Sequence, residues 1–146
     1  MEKSELLSEL DDQRQEFLDL LEDVPDEWML VPGVVGEWSI RDVLAHLTAW
    51  EGQTVTLLFQ VQRGMAKPTT VHFGKESDDE INKRWHETGK DRPFGQIWED
   101  WLSVRKQMIR RVSDLSEQEL NDPNRYPWMN RVPFTLRHLL DLVRAG

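Results

Sequence analysis

The sequence predicts an all-α fold, a four-helix bundle with a short C-terminal helix and long ordered loops. Three observations carry that expectation. Apolar residues recur at intervals of three and four over long stretches, the starts and stops of those stretches are marked by serine, aspartate, proline and glycine, and the last periodic stretch is much shorter than the others. At 146 residues the chain has the size of one domain, 1–146, able to bury a continuous core.

The first helix runs from Ser4 to Val24, where Leu6, Leu7, Leu10, Phe17, Leu18, Leu21 and Val24 share a face and acidic residues fill the gaps. Pro25 ends it, and Val31-Pro32-Gly33-Val34-Val35-Gly36 has the punctuation of an ordered loop. Ser39 and Asp42 form a capping-box pattern for the second helix, whose stripe of Ile40, Val43, Leu44, Leu47, Trp50, Leu58 and Val61 persists to Gly64. Lys67 to Lys75 reads as a loop in which Thr70-Val71-His72-Phe73 adds a short extended piece.

Ser77-Asp78-Asp79-Glu80 is an acidic cap for a short helix through Ile81 and Trp85. Pro93 opens a long third bundle helix along Phe94, Ile97, Trp98, Trp101, Met108, Ile109 and Val112. Ser116 to Glu119 repeats the capping box for a single turn, and a proline-broken loop follows from Asn121 to Pro133. Thr135 then caps a last helix through Leu136, Leu139, Leu140 and Val143. It would be roughly 16 Å long against roughly 37 Å for the second, at ~1.5 Å per residue. A partner that short leaves apolar surface on the other three helices uncovered.

Composition removes several function classes. There is no cysteine, so the chain brings no disulfide, thiolate ligand or cysteine nucleophile. A formal charge of -9 works against binding a phosphate backbone, so no nucleic-acid partner is expected. No apolar run reaches the ~20 residues that span a bilayer and the start has no signal-peptide pattern, so no membrane partner and a cytoplasmic location are expected.

Two residues of the second helix stand out. His46 lies about 90° from the centre of the apolar stripe, sharing that flank with Trp50, and Asp42 sits one turn earlier within reach of the imidazole. It is either a packed boundary histidine or a metal ligand, and one imidazole needs at least two further ligands. Glu51 falls on the apolar stripe itself. A buried carboxylate there is either paired with an arginine such as Arg14 or Arg105, or acts as a general base or ligand-orienting group in an interior pocket.

The remaining histidines do not supply a ligand set. His138 lies opposite the apolar face of the last helix, His86 lies away from Ile81, His72 is in a loop, and no two histidines stand three or four residues apart. Seven tryptophans are many for this length. Trp98 and Trp101 follow core spacing, whereas Trp28, Trp38 and Trp128 sit in or beside loops, where indoles line clefts or cover bundle ends.

The segment Gly36-Glu37-Trp38-Ser39-Ile40-Arg41-Asp42-Val43-Leu44-Ala45-His46-Leu47-Thr48-Ala49-Trp50-Glu51 resembles the second-helix signature of the DinB/YfiT-like superfamily, especially its ClbS/DfsB branch. Lys3 to Leu7, the Pro32-Gly33-Val34 loop and the Asn82 to Pro93 region are similar to the same branch. The resemblance implies an up-down-down-up bundle, often dimeric. Its metal-dependent members transfer thiol cofactors or isomerise small acids, and its ClbS relatives hydrolyse a strained ring in a bacterial genotoxin. Metal-binding members use a histidine on the second helix, matched by His46, and a His-x-x-x-His pair on the last helix. That pair has no counterpart through Gly146, so zinc or nickel binding at His46 is expected only if further ligands lie beyond Gly146 or on a partner.

The resulting expectation is a ClbS/DfsB-like, hydrolase-type protein acting on a small molecule. Its pocket sits at the start of the second helix, walled by Trp38, Asp42, His46 and Trp50, with His46 and Glu51 as catalytic candidates. One alternative is a metal-dependent thiol transferase with an incomplete histidine triad. Another is a non-catalytic module whose uncovered stripe pairs with a second copy, and a homodimer is the expected assembly.

Overall fold

The computed structural model describes residues 2–64, 69–70 and 74–121. They form α1 (Lys3–Leu21), a 3-10 turn (Asp26–Leu30), α2 (Ile40–Gln62), α3 (Asp78–Gly89), α4 (Phe94–Ser113) and a terminal turn of helix, α5 (Glu117–Asn121). The fold is the all-α one that periodicity predicts. Among the described residues no strand forms, and the one extended pairing is an isolated bridge between Val35 and Trp38. The predicted last helix lies outside the described residues, as do His72, Trp128 and His138.

Local chemistry sets the boundaries. At the head of α2 the Ser39 hydroxyl accepts from the Asp42 amide at 3.2 Å and the Asp42 carboxylate accepts from the Ser39 amide at 3.0 Å, the expected capping box. Gly64, at φ +74, takes the left-handed conformation that stops α2. Ser77 caps α3 through the Glu80 amide at 3.2 Å, and Ser116 and Glu119 exchange both capping bonds ahead of α5. The first helix stops at Leu21, short of the predicted Val24, because Pro25 disfavours helical geometry just before it and opens the 3-10 turn instead.

Helices α2 and α4 pack along their lengths in parallel, with α1 antiparallel to both. Lys3 at the start of α1 donates to the Leu115 carbonyl at 2.8 Å beyond the end of α4, and Gln62 at the end of α2 donates to the Arg111 carbonyl at 3.3 Å. The parallel pair requires a long crossover, and α3 lies within it, packed on α2.

The core has two parts. One gathers Leu6 and Leu10 of α1, Leu57 and Leu58 of α2 and Met108 and Val112 of α4. The other gathers Leu44, Ile97 and Trp101, with Phe17 and Leu18 against them. Between these lies a polar layer. The Arg105 Nε donates to the Glu51 carboxylate at 2.6 Å, and its Nη1 donates to the Leu10 carbonyl at 2.6 Å and to Gln13 at 3.0 Å. Of the two arginines proposed for Glu51, Arg105 is the partner, while Arg14 pairs with Asp11. No helix among the described residues is long and apolar enough to cross a membrane.

Candidate functional site

The candidate site is a cavity of about 240 Å³ between the first half of α2 and α3, closed on one side by Trp38. Trp38 is held by the turn that precedes α2. Its amide donates to the Val35 carbonyl at 2.9 Å and its carbonyl accepts from Val34 at 2.9 Å, a tight reversal in which Gly36 supplies the left-handed φ of +57. This turn fixes the indole over the start of α2.

From α2 come Asp42 and His46, one turn apart, and Ala45 and Ala49, whose small side chains leave the space open. From α3 come Asn82, Trp85 and His86, at the spacing that shares a helix face. Trp38 packs on both imidazoles. Its ring is nearly parallel to His86, with centroids 5.7 Å apart and planes at 11°, and tilted at 55° to His46 at 5.1 Å.

The electrostatics differ between the two histidines. Burial pushes the His46 imidazole below its usual value, and its hydrogen bond with Asn82 opposes this only in part, so His46 is neutral at pH 7. His86 Nε2 lies 3.5 Å from the Asp42 carboxylate. Burial pushes the Asp42 carboxyl up, but the hydrogen bonds from Ser39, with His86 and Arg41 close by, outweigh it and hold the group below the usual carboxylate range. Asp42 is therefore an anion facing His86. It does not hydrogen-bond His46 as expected, because the capping box and Arg41 turn its carboxylate toward α3.

Arg41, 5% exposed, braces the floor. Its Nε donates to the Arg92 carbonyl at 2.8 Å, its Nη2 donates to the Gly89 carbonyl at the end of α3, and its Nη1 donates to Asp42 at 3.1 Å. One guanidinium thus ties α2, the end of α3 and the approach to α4 together, and places a cation at the negative end of α3.

Trp50 and Glu51 fall elsewhere than expected. Trp50 stands behind the wall: its indole N–H donates to Asn82 at 2.6 Å and its ring meets Trp85 edge-on at 5.2 Å, so it positions α3 side chains without lining the cavity. Glu51 faces α4 from another side of α2. Burial pushes its carboxyl up and Arg105 opposes that shift. The two catalytic candidates, His46 and Glu51, are not brought together. Of the implied metal ligands only His46 is within the described residues, and among these no three histidine, aspartate or glutamate side chains converge on a position for an ion.

The sequence model of the DinB superfamily matches residues 9–144. The chain belongs to the DinB superfamily. No curated protein matches it in sequence. Among solved structures, this DinB-superfamily chain is similar to an uncharacterised protein from Escherichia coli UTI89, with a TM-score of 0.78 and 16% identity over 97% of this chain and 83% of that one. It is also similar to a protein from Streptococcus pneumoniae, with a TM-score of 0.76 and 14% identity over 99% of this chain and 87% of that one. At these identities the likeness is one of fold.

Asn82, His86 and Arg41 are site residues that sequence reasoning set aside or missed. A signal existed for the first two. A helix starting at Ser77 places Asn82, Trp85 and His86 on one face, and this face is polar and aromatic where Ile81 alone is core. Arg41 carried no such signal, because the backbone carbonyls that it ties to α2 lie some 50 residues away.

Proposed function

We propose that this DinB-superfamily protein is a ClbS/DfsB-like hydrolase that opens a strained ring in a small electrophile, using the cavity between α2 and α3. The observation that carries the reading is the pair of imidazoles, His46 and His86, meeting on Trp38 in one cavity with the Asp42 anion behind His86. The likeness of residues 36–51 to the ClbS/DfsB signature supports the choice of reaction.

In the proposed reaction His46, neutral at pH 7, accepts a proton from water as the water oxygen bonds to a ring carbon. The bond between that carbon and its neighbour breaks with its electron pair going to the neighbour, which takes up a proton from the imidazolium form of His86, oriented by Asp42. Solvent then takes the proton from His46 and returns one to His86, so that water is added across the bond. Trp38, Trp85 and the two alanines bind the apolar part of the substrate and keep bulk water away.

The test is hydrolysis of a cyclopropane-bearing electrophile by wild type and by His46→Asn, His86→Asn and Glu51→Gln variants, with folding checked by circular dichroism. The two histidine variants are expected to lose roughly 10²- to 10⁴-fold in rate, the usual worth of a positioned acid or base. Glu51→Gln, remote from the cavity, keeps the rate. Folded histidine variants with wild-type rates would remove the proposal.

A further inference from the structure

A second concavity, separate from the histidine site, opens where the end of α1, the 3-10 turn and the start of α4 meet. Its volume is about 680 Å³, within the ~300–1,000 Å³ of small-molecule sites. Its floor is apolar and aromatic: Leu18 and Leu21 from α1, Met29 from the 3-10 turn, and Phe94 and Trp98 from α4, whose rings lie 5.9 Å apart. Its rim carries Asp19, Glu22 and Asp26 and no lysine or arginine.

Among the described residues no cation offsets the charge of this region. Residues 15–40 contain seven aspartates and glutamates and no lysine or arginine, which is most of the net -9 of the chain. Among the described residues Asp19 hydrogen-bonds only the neutral Gln15, at 2.9 Å, and no cation pairs with Glu22 or Asp26. The last turn of α1 has no basic residue, so its negative end of about half a charge adds to the three carboxylates. The start of α4 offsets only about half a charge.

We infer that this groove binds a small cationic amphiphile, an ammonium ion carrying an apolar body, whose body lies on Phe94 and Trp98 and whose charge meets Asp19, Glu22 and Asp26. An aromatic face attracts an ammonium ion as well as an alkyl chain, so the floor and the rim select the same ligand. A neutral apolar ligand gains only from the floor, and an anion is repelled. A second copy of the chain is a poor occupant, since a two-fold contact at this face sets Asp19, Glu22 and Asp26 against their own copies.

The test is a titration of the ¹⁵N-labelled protein with hexyltrimethylammonium, 1-hexanol and hexanoate, followed by NMR. At low salt the ammonium ion is expected to shift Leu18, Leu21, Gly95 and the Trp98 indole, with a Kd at least tenfold below that of hexanol, while hexanoate does not bind. An Asp19→Asn, Glu22→Gln, Asp26→Asn triple variant changes exposed side chains only. It is expected to lose the tenfold preference and keep hydrolysis at the histidine site, as is wild type in 0.5 M salt. The inference is overturned if hexanol binds as well as the ammonium ion, if the triple variant binds like wild type, or if the shifts centre on Trp38 and His46.

Discussion

Trp38 and His86 lie 5.7 Å apart in stacked rings only 11° from parallel, although 48 residues separate them and each belongs to a different element. The contact joins the turn before α2 to the far end of α3, and the same indole also carries His46. One side chain therefore sets the mutual position of both candidate acid–base groups. Trp38→Leu keeps an apolar residue but loses both ring contacts, worth about 0.5–1.5 kcal/mol each. Its expected result is a modest fall in stability with a far larger fall in turnover. Histidine side-chain NMR would show both imidazoles losing their ring-current shifts.

Arg41 is expected to resist its usual conservative replacement. A lysine carries the charge but cannot span the Arg92 carbonyl, the Gly89 carbonyl and Asp42 with one planar fork. Arg41→Lys leaves at least one buried acceptor short of a donor, which costs about 1–3 kcal/mol. Urea unfolding measures it, and a loss below about 0.5 kcal/mol would show that water replaces the fork.

The pair of Glu51 and Arg105 predicts an asymmetry between single and double variants. Removing one partner leaves a buried charge, at a cost of about 3–5 kcal/mol, whereas replacing both by leucine is expected to recover much of that loss. Arg105 also serves the Leu10 carbonyl and Gln13, so recovery is incomplete. Thermal unfolding of Glu51→Leu, Arg105→Leu and the double variant checks the order.

Acidification separates His46 from Glu51. The folded value of His46 lies below its ordinary 6.5, so its contribution to stability is full above 6.5 and is lost as the pH falls through the lowered folded value. Glu51 is raised above its ordinary 4.5, so its contribution is full below 4.5 and is lost as the pH rises through the raised value. Relative to wild type, His46→Gln should flatten the loss of stability on the acid side of neutrality, and Glu51→Gln should remove an opposing gain. Denaturant midpoints from pH 7.5 to 4.5 read both slopes.

The helices were legible because their signals are local. The cap at Ser39, the stop at Gly64 and the stripes of α2 and α4 depend on residues within a turn or two of one another. The partner of Glu51 was narrowed to two arginines, because burial alone demands a cation and only tertiary packing chooses between Arg14 and Arg105. The cavity was half legible. Trp38, Asp42 and His46 lie in one continuous segment, whereas Asn82, Trp85 and His86 reach it only through the way α3 lies across α2. The same placement puts Trp50 outside the cavity, since Asn82 draws its indole N–H away.

The polar layer at Glu51 and Arg105 also divides the molecule into two mechanical zones. The cluster around Leu57, Leu58 and Met108 lies on one side, and the cavity shares the other with Leu44, Ile97 and Trp101. The ionic layer ties α1, α2 and α4 together between the zones, so changes of side-chain size in the far zone are expected to disturb the spacing of His46, His86 and Trp38 less than changes beside the cavity. A bundle partitioned in this way can change its robustness and its chemistry by separate sets of mutations.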